Sequence, residues 1–237
     1  MKAEEIKKEL FTLGTPEKAN TLSRFFKCGS GEYGEGDQFI GVVVPQQRAL
    51  VKKYKQIDLK EIEKLINDTY HECRLTGLLF LVAMFHQNKE EMVREKIYTF
   101  YIGHFNKINN WDLVDLTSRD IVGSYLFDKS REPLYQFAQT DHLWTQRIAI
   151  VSTYYFIRKK QFDDTFAISD LLLNHPHDLI HKAVGWMLRE AGNRNLEAEC
   201  QFLINRKRYQ KMPRTMLRYA IEKFPEALRQ DFLKGNI

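Results

Sequence analysis

Asp178-Leu-Ile-His-Lys-Ala-Val-Gly-Trp-Met-Leu-Arg-Glu-Ala-Gly192 is the stretch on which the fold turns. It follows the punctuating run Asn174-His-Pro-His177 and closes on a glycine. Breakers before a periodic segment and glycine after it mark the two ends of a helix. The spacing predicts a helix from Asp178, with Gly192 as its C′ residue. At about 100° per residue, Lys182, Trp186, Arg189 and Asn193 share one face of it. That face interleaves cations with an indole, which suits a nucleic-acid backbone. A lone Trp on a helix is more often core, and that reading stays open here.

Similar punctuation recurs toward the N-terminus. Asp58 or Leu59 opens a segment ending near Asn67, and Thr69 leads into an apolar stretch reaching His86. Asn88 caps a segment running to about Asn106. Asn110 caps another that starts at Trp111, and Asp141 precedes Leu143 to Arg158. Phe39 to Val44 is the one strand-like run, equally readable as an extended connector, and Pro45 fits the first turn of a helix. Aromatic residues make up 13% of the chain against only 12 Gly and 6 Pro. Such a breaker-poor composition favours long helices over a many-turned β-sandwich, so the expected fold class is all-α.

A loose repeat accompanies this pattern. The helices containing Leu75, Asp115, Arg147 and Lys182 each have a polar start and then an apolar stretch with small residues, at steps of 40, 32 and 35 residues. That spacing is near the period of HEAT-type helical pairs, which stack into an arc whose second helices line the concave side. A non-repeating helical bundle is the alternative.

The chain has 237 residues, 43% of them hydrophobic, with 36 Lys+Arg against 31 Asp+Glu and a formal net charge of +5. These fractions describe an ordinary globular protein rather than a disordered one, and the length fits one large domain or two small ones. The longest apolar run, Leu78 to Phe85, is far short of a membrane span. The first five residues carry acids where a signal peptide needs a basic start and an apolar core, so a cytoplasmic protein is expected. Cys28, Cys73 and Cys200 are too dispersed for a disulfide framework or a zinc site.

The excess charge is concentrated at one end. Residues 182–237 hold 12 basic and 6 acidic side chains, a local charge of +6, whereas the other 181 residues carry −1. Arg206, Lys207, Arg208, Lys211, Arg214 and Arg218 fall between Asn205 and Tyr219 with no acid among them. Clustered positive charge attracts a polyphosphate and releases its counterions. A solvated helix surface is the bland alternative.

On the helix starting at Trp111, the same arithmetic puts Trp111, Asp115, Ser118 and Val122 on one face, beside a core stripe of Val114, Ile121 and Tyr125. An aromatic and a carboxylate therefore sit one turn apart at the edge of the buried stripe. The competing reading of Asp115 is a helix ion pair with Arg119.

Three segments together resemble the AlkD family of DNA alkylation repair enzymes: Asn110-Trp-Asp-Leu-Val-Asp115, Leu143-Trp-Thr-Gln-Arg-Ile-Ala-Ile150 and Lys182-Ala-Val-Gly-Trp-Met-Leu-Arg-Glu190. Phe39-Ile-Gly-Val-Val-Val-Pro-Gln-Gln-Arg48 is similar to that family's N-terminal region, and the likeness covers most of the chain in the same order. The resemblance implies a single domain over 1–237, folded as a right-handed α-solenoid of HEAT-like repeats with a concave basic groove. It implies a hydrolase: a monofunctional DNA glycosylase acting on N3- and N7-alkylated purines in double-stranded DNA, without cofactor or metal, as a nucleoid-associated monomer. By motif position Asp115 matches the family's catalytic aspartate, Trp111 and Trp186 its two lesion-side tryptophans, and Arg147 its groove arginine. Arg189 matches a second basic residue near the DNA, and Lys182 shares its face. Ser23-Arg-Phe-Phe-Lys27 puts Phe25 where some relatives have a tyrosine, so the aromatic face remains and the hydroxyl is lost.

The chemistry is coherent on its own terms. An N3- or N7-alkylpurine is cationic and already an activated leaving group, so no general acid is needed. One carboxylate can stabilise the positive charge developing on the deoxyribose and position water. An indole face attracts a cationic base by ~0.5–2 kcal/mol. Arg147 would hold a phosphate or orient Asp115. Two other signals are weak. Gly29, Gly31, Gly34 and Gly36 lack a following Gly-Lys-Ser/Thr and carry Glu32, Glu35 and Asp37, which repel phosphate. His175, His177 and His181 lack a completing Cys or carboxylate for a metal. The alternatives to a glycosylase are a non-catalytic DNA-binding protein of the same fold and a protein-binding scaffold.

Overall fold

The structure, a computed structural model, describes residues 1–54 and 57–237. Helix follows helix throughout, and there is no strand among the described residues, as the composition led us to expect. The chain forms two compact units, Met1–Thr117 and Ser118–Ile237.

The first unit contains α1 (Ala3–Leu13), α2 (Pro16–Phe25), α3 (Val44–Lys53), α4 (Leu59–Ile66), α5 (His71–Gln87), α6 (Glu91–Ile102) and α7 (Trp111–Asp115). Three of the caps are those their chemistry favours. Thr15 accepts the Lys18 N–H, Asp58 accepts the Glu61 N–H, and Asn110 accepts the Trp111 N–H at 2.9 Å. The apolar run from Leu78 belongs to α5, which is apolar around most of its circumference and is the centre of this unit. No helix among the described residues is long and apolar enough to cross a membrane. Residues Phe39 to Val43 form no strand; they are an extended connector with one isolated bridge beside them, between Gln38 and Tyr70. Pro45 does lie in the first turn of α3. The helix expected after Asn88 starts at Glu91 without a side-chain cap and ends at Ile102, before a short 3₁₀ turn over Phe105–Lys107.

The second unit contains α8 (Ser124–Leu126), α9 (Glu132–Ala138), α10 (Leu143–Ser152), α11 (Tyr154–Arg158), α12 (Asp163–Leu171), α13 (Asp178–Gly192), α14 (Leu196–Ile204), α15 (Arg208–Lys211), α16 (Arg214–Ala220) and α17 (Glu226–Lys234). The opening stretch forms α13 from Asp178 as expected, and α10, α12, α14 and α16 all pack on it. Ile180, Ala183, Val184, Met187 and Leu188 are its buried stripe.

Three sequence expectations change here. Gly192 is the last helical residue rather than a C′ residue, and Asn193 follows in a right-handed conformation. The reason is space: a Cβ at Gly192 would lie 1.6 Å from Oε2 of the buried Glu199. The segment Leu143 to Arg158 divides at Thr153 into α10 and α11. The helix begun at Trp111 does not continue in α geometry; Arg119–Gly123 is a π-helical turn. A Cβ at Gly123 would lie 2.2 Å from the Ser152 carbonyl oxygen, so this turn exists where two backbones approach closely. Ser118 and Val122 are fully buried, although helical spacing predicted them on a partly exposed face.

Candidate functional site

In the first unit the site is built from the connector before α3 and the start of α5. The Glu72 carboxylate, in the first turn of α5, accepts the backbone N–H groups of Ile40, Gly41 and Val42 at 3.0, 2.7 and 3.1 Å. Gln47 donates to the Val42 carbonyl at 2.9 Å and is itself held by Thr76. These bonds fix an otherwise unpaired extended segment, and they place Phe39 and Val42 in a cavity wall.

Beside Glu72 lies a buried charge cluster. His71 Nε2 is 2.9 Å from Asp112 Oδ2, and His71 Nδ1 is 3.2 Å from Asp37 Oδ2. Arg74 donates to Asp37 Oδ1 at 2.6 Å, and the Asn109 amide donates to the same oxygen at 2.7 Å. Burial opposes the imidazolium, but the two carboxylates on its nitrogens more than offset that and raise the His71 pKa to about 9. Asp37 is likewise penalised by burial, yet its bonds with His71 and Arg74 hold it below its usual range. Because His71 titrates higher when folded than its ordinary 6.5, its stabilisation is complete below that value and is lost as pH rises through about 9.

Aromatic rings cover this cluster. The His71 ring stacks on Phe39 at 4.6 Å and lies 4.9 Å from Phe26. Phe26 in turn stacks on Trp111 at 5.2 Å, and Phe25 meets Trp111 edge-on at 5.7 Å. Together they line a cavity of about 400 Å³ that Asp115 and Leu116 also border. Trp111 and Asp115 are each half-buried, one turn apart on α7, and Phe25 is 60% exposed. The arrangement sets aromatic side chains and a carboxylate around one cavity, a combination whose chemistry suits a flat cationic ring.

The remaining expected site residues lie in the second unit. Arg147, on α10, is buried and donates to the Leu179 carbonyl in the first turn of α13. Trp186 is half-buried, with its ring 6.1 Å from that of Tyr154. Lys182 pairs with Asp178 at 2.6 Å, and Arg189 pairs with Glu222. Arg119 lies 3.3 Å from Asp120 and over the Tyr154 ring. Within the basic run, Arg206, Lys207, Lys211, Arg214 and Arg218 are exposed. Arg208 departs from the expectation of a DNA contact: it is buried, grips Asp170 through two bonds of 2.5 and 2.6 Å, and caps the carbonyls of Phe202 and Asn205. Asp170 is held below its usual carboxylate range by that guanidinium. Arg206 and Lys207 are both left-handed, with φ of 56° and 53°, and form a corner that presents them to solvent.

The two weak signals resolve into local structure. The Gly29 and Gly31 N–H groups donate to Glu32 and Glu35, so the glycine loop's own carboxylates use the amides a phosphate would need. His175 contacts Gln146 at 2.9 Å, His177 accepts the Leu179 N–H, and His181 bonds the His175 carbonyl, so all three shape the turn into α13. The three cysteines are free thiols.

A family model described as "DNA alkylation repair enzyme" matches residues 6–224, across both units. The chain belongs to the DNA alkylation repair enzyme family. Among solved structures, a predicted DNA alkylation repair enzyme from Enterococcus faecalis shares the fold, with a TM-score of 0.68 at 18% identity, covering 90% of this chain and 97% of that one. A search of curated proteins finds no match.

Within this member of the family, sequence reasoning located Trp111, Asp115 and Phe25, which the first unit brings to one cavity. It missed Phe26, Phe39, His71 and Asp112, which complete that cavity and its floor. A signal was present: His71, Glu72 and Arg74 stand at the head of the most apolar helix, where buried charge requires partners. The partners were unreadable because they come from residues 34 and 41 positions away.

Proposed function

We propose that this protein is a monofunctional DNA glycosylase that hydrolyses the N-glycosidic bond of cationic N3- and N7-alkylated purines, such as 3-methyladenine and 7-methylguanine, in double-stranded DNA. The observation that carries the reading is the cavity bordered by Asp115, with Trp111, Phe25 and Phe26 in its wall. The aromatic faces favour a cationic base over a neutral one by ~0.5–2 kcal/mol. As the C1′–N bond breaks, its electron pair neutralises the departing purine. The Asp115 carboxylate stabilises the positive charge left on the sugar and orients a water. Water then bonds to C1′ and its proton passes to solvent, so the reaction calls for neither metal nor cofactor.

The same reading treats residues 1–237 as one working domain, supported by a family match that spans both units. It takes the helical succession as HEAT-like repeats in a right-handed solenoid with a basic concave side. Trp186 and Lys182 contribute to DNA contact from α13. Arg189 joins them when phosphate competes with Glu222. Arg147 is a fixed cation, already bonded to Leu179. Arg206, Lys207, Lys211, Arg214 and Arg218 grip backbone phosphates. The enzyme acts as a monomer on the nucleoid in the cytoplasm.

The deciding experiment measures free 7-methylguanine and 3-methyladenine released from methylated duplex DNA; release of neither above the spontaneous rate defeats the proposal. Salt dependence tests the grip separately. Replacing Lys207, Lys211, Arg214 and Arg218 together by Gln is expected to flatten the slope of log affinity against log salt by up to about 4. An unchanged slope in a titration from 50 to 200 mM salt would place the DNA elsewhere.

A further inference from the structure

His71 has no part in the chemistry above, yet it is enclosed beside the cavity, 1% exposed and bonded at both ring nitrogens to carboxylates. We infer that His71 is a positioning residue whose imidazolium clamps α7, through Asp112, to the connector before α3, through Asp37, and thereby sets where Trp111 and Asp115 stand in the cavity. The inference rests on the glycosylase reading for its kinetic consequences, although the clamp itself is a matter of geometry.

Three observations support it. First, proton counting requires a cation. A neutral imidazole has one N–H donor and one acceptor nitrogen, and an ionised carboxylate only accepts. His71 can donate to both carboxylates only when both its nitrogens carry protons, so deprotonation must break its bond to Asp37 or its bond to Asp112. Second, the clamp acts on the reactive helix. Asp112 follows Trp111 directly and lies within one turn of Asp115, and α7 is only five residues long. Such a short helix has little stiffness of its own, so its anchor decides its placement. Third, the His71 ring continues the stack that reaches Trp111 through Phe26. A ring displaced from beneath Phe26 therefore disturbs the indole as well as the carboxylate.

The charged and titratable groups around His71 come from each neighbouring element. Cys28 and Asp37 belong to the segment between α2 and α3, Glu72 and Arg74 to α5 itself, and Asp112 and Asp115 to α7. Glu72 is held by three backbone amides and Arg74 by Asp37, so the clamp of Asp37, His71 and Asp112 is the part left to respond to pH. His71 is not a general acid, because neither nitrogen has a proton uncommitted to a carboxylate.

The test combines ring-15N-histidine NMR with single-turnover base release. The expected result is a doubly protonated His71 at pH 7 and a wild-type release rate that falls as His71 titrates near pH 9. Asp37→Asn removes one carboxylate; it should lower the His71 midpoint and move the alkaline limb of the rate profile by the same amount. His71→Gln reaches one carboxylate at most, and its release rate should drop about 100-fold, the order that a 1 Å misplacement costs, with DNA affinity held within about threefold and no alkaline limb. A purely structural His71 would change the unfolding midpoint and leave the rate profile of the folded protein unmoved. A neutral His71 at pH 7, or a rate that ignores its titration, overturns the inference. If wild type releases no alkylpurine, the glycosylase reading fails by itself. The indole 15N–H resonance of Trp111, assigned with Trp111→Phe, still decides the clamp: it should shift with His71, and an unmoved resonance rejects it.

Discussion

Asp115→Asn is expected to lower the rate of 7-methylguanine release by about 10²–10³-fold, the usual cost of removing one electrostatic stabiliser from a transition state. Asparagine keeps the volume and planarity of the side chain and deletes its charge, so the cavity beside Trp111 should remain intact. The loss therefore belongs to the step in which positive charge builds on the sugar, where a neutral amide gives little help. DNA affinity should hold or rise slightly, because one negative charge is removed from a surface that meets phosphates. Single-turnover release and fluorescence anisotropy on the same methylated duplex separate the two quantities. Release at the wild-type rate would remove Asp115 from the mechanism. A loss matched by an equal loss of binding would favour the DNA-binding alternative.

Glu72→Ala is expected to destabilise the first unit by about 3–5 kcal/mol. Three backbone N–H groups lose their acceptor at once, and each unsatisfied buried donor costs about 1–3 kcal/mol, partly relieved by water entering the space left behind. The connector from Phe39 to Val43 has no strand partner to fall back on, so the Glu72 carboxylate is its principal tie to α5. Its release removes Phe39 from beneath Phe26 and opens one wall of the cavity. Denaturant unfolding should show a lower midpoint, and Trp111 emission should shift to the red. Glu72→Gln keeps one acceptor oxygen and is expected to recover part of the stability. A stable Glu72→Ala variant with native Trp111 emission would show that other contacts hold the connector.

Legibility from sequence followed the range of the interactions involved. Helix α13 was readable because its boundaries are local events: the breakers at Asn174 to His177 precede it, and its buried positions recur at helical spacing. Trp111 and Asp115 were readable as a pair because they lie one turn apart after the cap supplied by Asn110. Ser118 and Val122 were misplaced because the α-helix stops at Asp115 and a π-helical turn follows over Arg119–Gly123, where the backbone passes close to Ser152, and nothing near Gly123 in the sequence reports that approach. Arg208 was read as part of a basic run, since Asp170, which neutralises it, is 38 residues away. Gly192 was read as a helix stop, although its lack of a Cβ makes room for Glu199.

The sequence by itself determined that the chain is helical, that its positive charge lies at the C-terminal end, and that an indole and a carboxylate share the start of one helix. These are properties of spacing and composition, which act over one or two turns of chain. Only the tertiary structure decided that Phe25, Phe26, Phe39 and Trp111 enclose a cavity, that His71 is sandwiched between two carboxylates beneath it, and which basic residues remain exposed. Those outcomes depend on burial. A buried charge has to find its counter-charge wherever the fold delivers one, and an exposed cation becomes spoken for only when a distant acid is folded against it. Local pattern placed Asp115 on its helix; long-range pairing built the surroundings in which a carboxylate there can act.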